Sequence, residues 1–237
     1  GNEDELKARI VRLLYEGFGH NGNRVKFKFV NRVHVAPEGD GIRQIAKRFP
    51  AVFLMFGHKD FTLGYIKDKE ISLVDSRSLP GWGMLKFVRQ IPYTFVDELR
   101  AAAAIYAAGE KLQDKHLLKV VLPKDLARVK AAIPEVRRLI WAQLWKELID
   151  SPINEAAIAY AIGGNAVFWY PELKKALGQR LNMGGELIKE ISERFPDLDK
   201  SPSLYRLSDC FGSFKDLESG NSYVPSARKE LLGGGKK

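Results

Sequence analysis

Only one cysteine, Cys210, occurs in 237 residues, so no internal disulfide can staple this chain and a reducing compartment is expected. No apolar run reaches the roughly 18 residues of a membrane-spanning helix, and the N-terminal stretch lacks the apolar centre of a signal peptide. No membrane partner is expected. The patterns that chemistry requires are missing as well. The four histidines, His20, His34, His58 and His116, are scattered, and none has the helical spacing with glutamate that a zinc site uses. There is no Gly-x-Ser-x-Gly elbow and no phosphate loop ending in Gly-Lys-Ser/Thr. Gly81-Trp82-Gly83 is a fragment of the dinucleotide fingerprint without its strand-to-helix setting. Asp97 and Glu98 are adjacent, so on a helix they diverge. These absences argue against an enzyme, and no cofactor or metal is expected.

What is abundant is positive charge. Lys and Arg outnumber Asp and Glu by 38 to 29, a net charge of +9, which favours a polyanionic partner. The cations alternate with rings. Arg24, Lys26, Lys28 and Arg32 interleave with Phe27 and Phe29, and Lys47 and Arg48 follow. Lys59, Lys67, Arg77, Lys86 and Arg89 lie in or near a hairpin pattern with Tyr65, Trp82 and Tyr93. Arg100 is the one basic side chain of the segment 92–112 before its last turn, and Lys174, Lys175 and Arg180 follow Trp169. Cations that track phosphates, with rings on which bases stack, hold single strands without sequence preference. A solvated basic surface of an adaptor or structural protein is the competing reading. A duplex binder is a third, although no helix-turn-helix pattern stands out.

The organisation reads as helix-rich, with 45% hydrophobic and 28% charged residues supplying a core for one large domain or two lobes. Residues 3–16 form an amphipathic helix with Leu6, Ile10, Leu13 and Leu14 on one stripe. Alternation over 24–35 predicts a strand with a cationic face, and 42–56 reads as helical until Pro50. The segment 59–74 predicts a β-hairpin turning at 67–70. Residues 92–112 form a buried central helix, and Pro134 opens another with Trp141 and Trp145 inward. The Ser-Pro-x-x-Glu signal at 151–155 predicts a helix ending at Gly163 and Gly164. Further helices are expected from Tyr170, over 186–194 and over 204–211. The expected fold class is mainly α with a small β-hairpin element. Its parts are an N-terminal helix or arm (1–16), an N-terminal lobe with hairpin and central helix (17–112), a C-terminal helical lobe (113–200) and a C-terminal arm and tail (201–237).

Several short segments resemble nucleoproteins of the bunyavirus group of segmented negative-strand RNA viruses. LKKALGQR (173–180) is similar to the basic helix of the orthobunyavirus proteins, with Gly178 at a position that is commonly basic there. DFTLGYI (60–66) resembles a tospovirus hairpin opening, and ELRAAAA (98–104), YEGF (15–18) and VPSA (224–227) resemble phlebovirus segments. The resemblance implies a two-lobed helical nucleoprotein-like fold with a basic groove between lobes, lined by Lys174, Lys175 and Arg180 and reached by Arg100 from the central helix, with Lys59 beside the hairpin as a further transfer. It also implies binding of single-stranded RNA irrespective of sequence, and a homo-oligomer joined through terminal arms that encapsidates a viral genome. A viral polymerase is an implied partner, and the virion ribonucleoprotein and host cytoplasm the implied location.

Overall fold

The computed structural model describes residues 3–20, 23–25, 38–196 and 203–218. The chain falls into two compact units, 1–37 and 38–237. The first holds α1 (Glu3–Glu16) and an antiparallel pair, β1 (Phe18–His20) and β2 (Asn23–Val25). Of the strand expected over 24–35, only Arg24 and Val25 belong to β2; the rest lies outside the described residues.

The second unit opens with α2 (Asp40–Ile45), β3 (Ala51–Phe56), β4 (Phe61–Lys67) and β5 (Glu70–Leu79). Four helices follow: α3 (Met84–Gln90), α4 (Glu98–Ala108), α5 (Asp114–Leu117) and α6 (Leu126–Ile149). Then come β6 (Ile158–Ile162), α7 (Tyr170–Leu177), β7 (Leu181–Asn182), α8 (Gly185–Arg194) and α9 (Ser203–Glu218). The strands make one sheet in the order β5-β4-β3-β6-β7. The pairs β3/β4 and β4/β5 are antiparallel, while β3/β6 and β6/β7 are parallel. A mixed five-stranded sheet between helices therefore replaces the mainly helical two-lobed architecture that the sequence pattern suggested.

The reason lies in two-sided burial. Val52, Leu54 and Phe56 of β3 join one core with Phe61, Leu63 and Tyr65 of β4 and the inner faces of α3, α4, α6 and α7. Ala51 and Phe53 point the other way, into a second core with Ile66, Tyr160, Ile162 and residues of α2, α8 and α9. A strand covered on both faces shows no alternation of polar and apolar residues, so AVFLMF reads like a continuing buried helix. The same holds for IAYAI in β6, where Ala159 and Ala161 face one core and Tyr160 and Ile162 the other. The helix start at 151–155 is real but brief: Ser151 accepts from the Ile153 N–H, and the resulting 3-10 turn ends at Asn154.

The second core is closed by α9. Leu204 and Phe211 are buried in it, and α9 crosses α2 backbone to backbone. A Cβ on Gly41 would lie 1.9 Å from the Asp209 carbonyl oxygen, and one on Gly212 would lie 2.4 Å from that of Gly41. Asp209 accepts the backbone N–H of Gly39 (2.9 Å) and Ile42 (3.3 Å), satisfying donors that the start of α2 leaves open. Burial pushes the Asp209 carboxyl above its ordinary range, against the opposing N–H donors and with the help of nearby Asp40. A carboxyl raised in the folded state stabilises most below its unfolded pKa, and that contribution is lost as pH rises through the folded value. Asp209→Asn keeps an acceptor oxygen for the α2 N–H groups and removes the charge. In urea titrations the parent should lose stability between pH 4 and pH 8 relative to this variant; equal pH profiles would contradict the assignment.

Candidate functional site: an aromatic cavity beyond the strand ends

The parallel strands β3 and β6 end side by side, and their exits are drawn together by backbone contacts. Gly163, at φ +88°, sits where a Cβ would be 2.7 Å from the Phe56 carbonyl oxygen. The Asn165 side-chain amide donates to the Gly57 carbonyl at 2.9 Å. Gly83 lies against the backbone of His58 and Lys59, and its N–H donates to the Lys59 carbonyl at 2.8 Å. Crevices past the carboxyl ends of parallel strands are where open α/β sheets hold ligands.

The chain leaving β6 forms the wall of a cavity of about 1070 Å³, closed by α7, the middle of α6 and the end of α4. Trp141 and Trp145 are one helical turn apart on α6, so their rings stack, with centroids 5.6 Å apart and planes 21° apart. Trp141 also lies 5.9 Å from Trp169, which meets Phe168 edge to face at 5.0 Å. Phe168, Tyr170 and Tyr106 complete an aromatic lining, and Arg137, Arg138 and Lys175 bring positive charge to it.

Arg137 is the structural hinge of this wall. Its Nη2 donates to Glu172 Oε2 at 2.6 Å and to the Phe168 carbonyl at 2.5 Å, joining α6 to α7. The guanidinium lies 4.7 Å from the Phe168 ring centroid, and its buried Nε has no hydrogen-bond partner. The two side chains are 15% and 21% exposed, so the pair is shielded from solvent far more than a surface ion pair. The lining residues suit a planar π-system bearing negative charge: rings supply stacking faces and the arginines and lysine supply the counter-charge. Among the described residues no cluster of three His, Cys, Asp or Glu could hold a metal, and no helix is long and apolar enough to cross a membrane.

Of the cations singled out from the sequence, Lys175 alone among the described residues lines the cavity. Lys26, Lys28 and Arg32 lie outside the described residues, and Arg24 is placed only as a backbone position in β2. Lys47 pairs with Glu186 at 2.7 Å and Arg89 with Glu98 at 2.7 Å. Arg100 is exposed on the first turn of α4, 3.5 Å from Asp97. Arg48, Lys59 and Lys67 are exposed on loops or a strand end. Arg77 lies on β5 opposite Leu63. The Lys86 ammonium sits 3.0 Å above Trp82, and burial lowers its pKa. Lys174 reaches the Gly178 carbonyl at 3.5 Å. Arg180 donates to the carbonyls of Ile153 (2.9 Å) and Ala156 (3.1 Å), pinning the entry to β6. Sequence reasoning missed Arg137 and Arg138. Their signal was the arginine pair one turn before Trp141, on a helix whose tryptophans read as core.

No protein-family model and no curated protein matches the sequence. Solved structures do. The Alp12 filament structure aligns with 78% of this chain and 53% of its own, at 8% identity and a TM-score of 0.51. A non-polymerisable quadruple mutant of the pCBH ParM protein aligns over 91% and 65%, at 15% identity and a TM-score of 0.50. The archaeal actin homologue Ta0583, in complex with ADP, aligns over 78% of this chain and 57% of its own, at 14% identity and a TM-score of 0.48. The chain thus spans 53% to 65% of the Alp12 and pCBH ParM structures, whose fold it shares.

The nucleoprotein resemblance is overturned by these findings, and with it RNA encapsidation, single-stranded RNA and a viral polymerase as partners, and a place in a virion. The short segments that carried it have other roles. DFTLGYI belongs mostly to strand β4, between β3 and the edge strand β5, LKKALGQR runs from α7 into the turn where Arg180 binds carbonyls, and ELRAAAA opens α4. YEGF spans the end of α1, and VPSA lies outside the described residues.

Replacing Arg137 with leucine leaves Glu172 half-buried without its cation. The expected loss is about 3 kcal/mol in urea unfolding, with much of it recovered when Glu172→Leu is added. A change below about 0.5 kcal/mol would show that the pair does not hold the wall.

Proposed function

We propose that this chain belongs to an actin-like assembling protein whose copies associate into filaments. The observation that supports this is the mixed sheet in the order β5-β4-β3-β6-β7, flanked by helices on both faces, which underlies the likeness to the Alp12 filament structure. Fold alone does not carry function, so the test is assembly itself. Purified chain at micromolar concentration should sediment on ultracentrifugation and show filaments by negative-stain electron microscopy. A monomer at every concentration would overturn the proposal.

The cavity supports a second part of the reading: it receives a planar aromatic anion, and a purine nucleotide is the natural probe. Stacking on Trp141 would fix the ring while Arg137, Arg138 and Lys175 offset the charge. The cavity is further proposed to bind without catalysing. Its carboxylates are Glu110 and Glu172, and Glu172 is already held by Arg137. ATP and ADP should quench tryptophan fluorescence saturably, adenosine less strongly, and no phosphate should be released. Saturable quenching with steady phosphate release would contradict the non-catalytic reading, and no quenching would contradict the binding one.

A further inference from the structure

The edge strand β5 carries an apolar protrusion that the core does not use. Its register to β4 runs Tyr65 to Ser72 and then Leu63 to Arg77, so residues 73–76 stand opposite Gly64 alone. This bulge is built rather than loose. Ser72 Oγ donates to Asp75 at 2.6 Å, Ser76 Oγ donates to the Ser72 carbonyl at 2.5 Å, and Ser76 Oγ accepts the Tyr65 N–H at 2.9 Å, replacing a ladder bond. The result holds Leu73 and Val74 outward at 76% and 95% exposure. A bulge of this size prevents another strand from continuing the sheet edge, so the protrusion is suited to a side-chain contact.

A matching surface lies on the corner between α5 and α6. There Leu118 and Leu122 are exposed, and Lys119 and Lys124 alternate with them. The corner is fixed by the Leu122 N–H donating to the Tyr93 hydroxyl at 3.2 Å and by backbone bonds from Leu118 and Val121 to the turn before them. Between Glu70 and Ser76 the only charges are the exposed carboxylates Glu70 and Asp75, and among the described residues neither forms an ion pair. Lys119 and Lys124 likewise form none among the described residues. Two apolar side chains flanked by two acids on β5 are thus matched in chemistry by two apolar side chains flanked by two lysines on a different element.

We propose that Leu73 and Val74 of one copy seat on Leu118 and Leu122 of the next, with Glu70 and Asp75 meeting Lys119 and Lys124. The contact deepens the assembly reading above and rests on it. Knob and seat are different patches, so the contact repeated head to tail propagates, whereas made reciprocally between two copies it would close as a dimer.

Three variants test it in the whole chain. Val74→Asp should raise the concentration needed for sedimentation about tenfold while leaving the circular dichroism spectrum unchanged. Reversing Glu70→Lys and Asp75→Lys should impair assembly, and adding Lys119→Glu and Lys124→Glu should restore it. With Cys210→Ser, the pair Val74→Cys and Leu122→Cys should give a disulfide-linked ladder beyond dimer on oxidation. The proposed contact falls if the parent assembles and Val74→Asp assembles equally well, if the double reversal fails to rescue, or if cross-links stop at dimers formed by Val74→Cys alone. If the parent itself never sediments, the assembly reading falls and takes the contact with it.

Discussion

The structure depends on a single strand being buried from both sides. Phe53, at the centre of β3, fills space that two glycines leave bare: a Cβ on Gly39 or Gly64 would come within 2.0 Å or 1.9 Å of its ring. Its neighbours Val52 and Leu54 point into the opposite core and are fully buried. A ring lying on bare backbone fixes β4 and the entry to α2 at once, because neither glycine can carry a side chain without displacing it. The sheet cannot shift by one residue, since a slip would exchange the two cores.

The position of the cavity follows from that constraint. With β3 and β6 held parallel, their exits at Gly57 and Gly163 meet, and the chain after β6 turns beside α6. The sequence there is nearly all aromatic or apolar before Pro171, so the turn becomes a wall of rings that rests on Trp141. Arg137 then closes the joint, since it is the cation on α6 that can reach both the Phe168 carbonyl and the α7 carboxylate of Glu172. Catalytic motifs of the kind sought in the sequence are not what marks this place; ring stacking and one shielded ion pair are.

Much of the fold was legible where a segment has a single buried face. The amphipathic patterns of α1, α7 and α8 lie where their periodicity put them, and the β4–β5 hairpin turns at Asp68 and Lys69 within the expected stretch. What escaped was the pairing of β3 with β6, because uninterrupted apolar runs carry no period and because Ser151 gives an honest cap to a helix only one turn long. The cations misled for a related reason. A net charge states how many unmatched bases exist and nothing of where they gather, and here Lys47, Arg89 and Lys130 are spent on carboxylates while Arg180 serves three backbone carbonyls. Short motif likeness failed because seven or eight residues can fit a strand, a helix end or a loop equally well. Spatial order of strands, which no local window contains, is what joins this chain to its structural neighbours.

The measurement closest to the centre of this account is the backbone pairing of β3 with β6 in solution. Nuclear Overhauser contacts on labelled protein should join Phe53 with Tyr160 and Leu54 with Ala161 in the parallel pattern. Helical contacts running without a break from Pro152 to Ile162, and none across to β3, would contradict the sheet, the cavity and the assembly reading together.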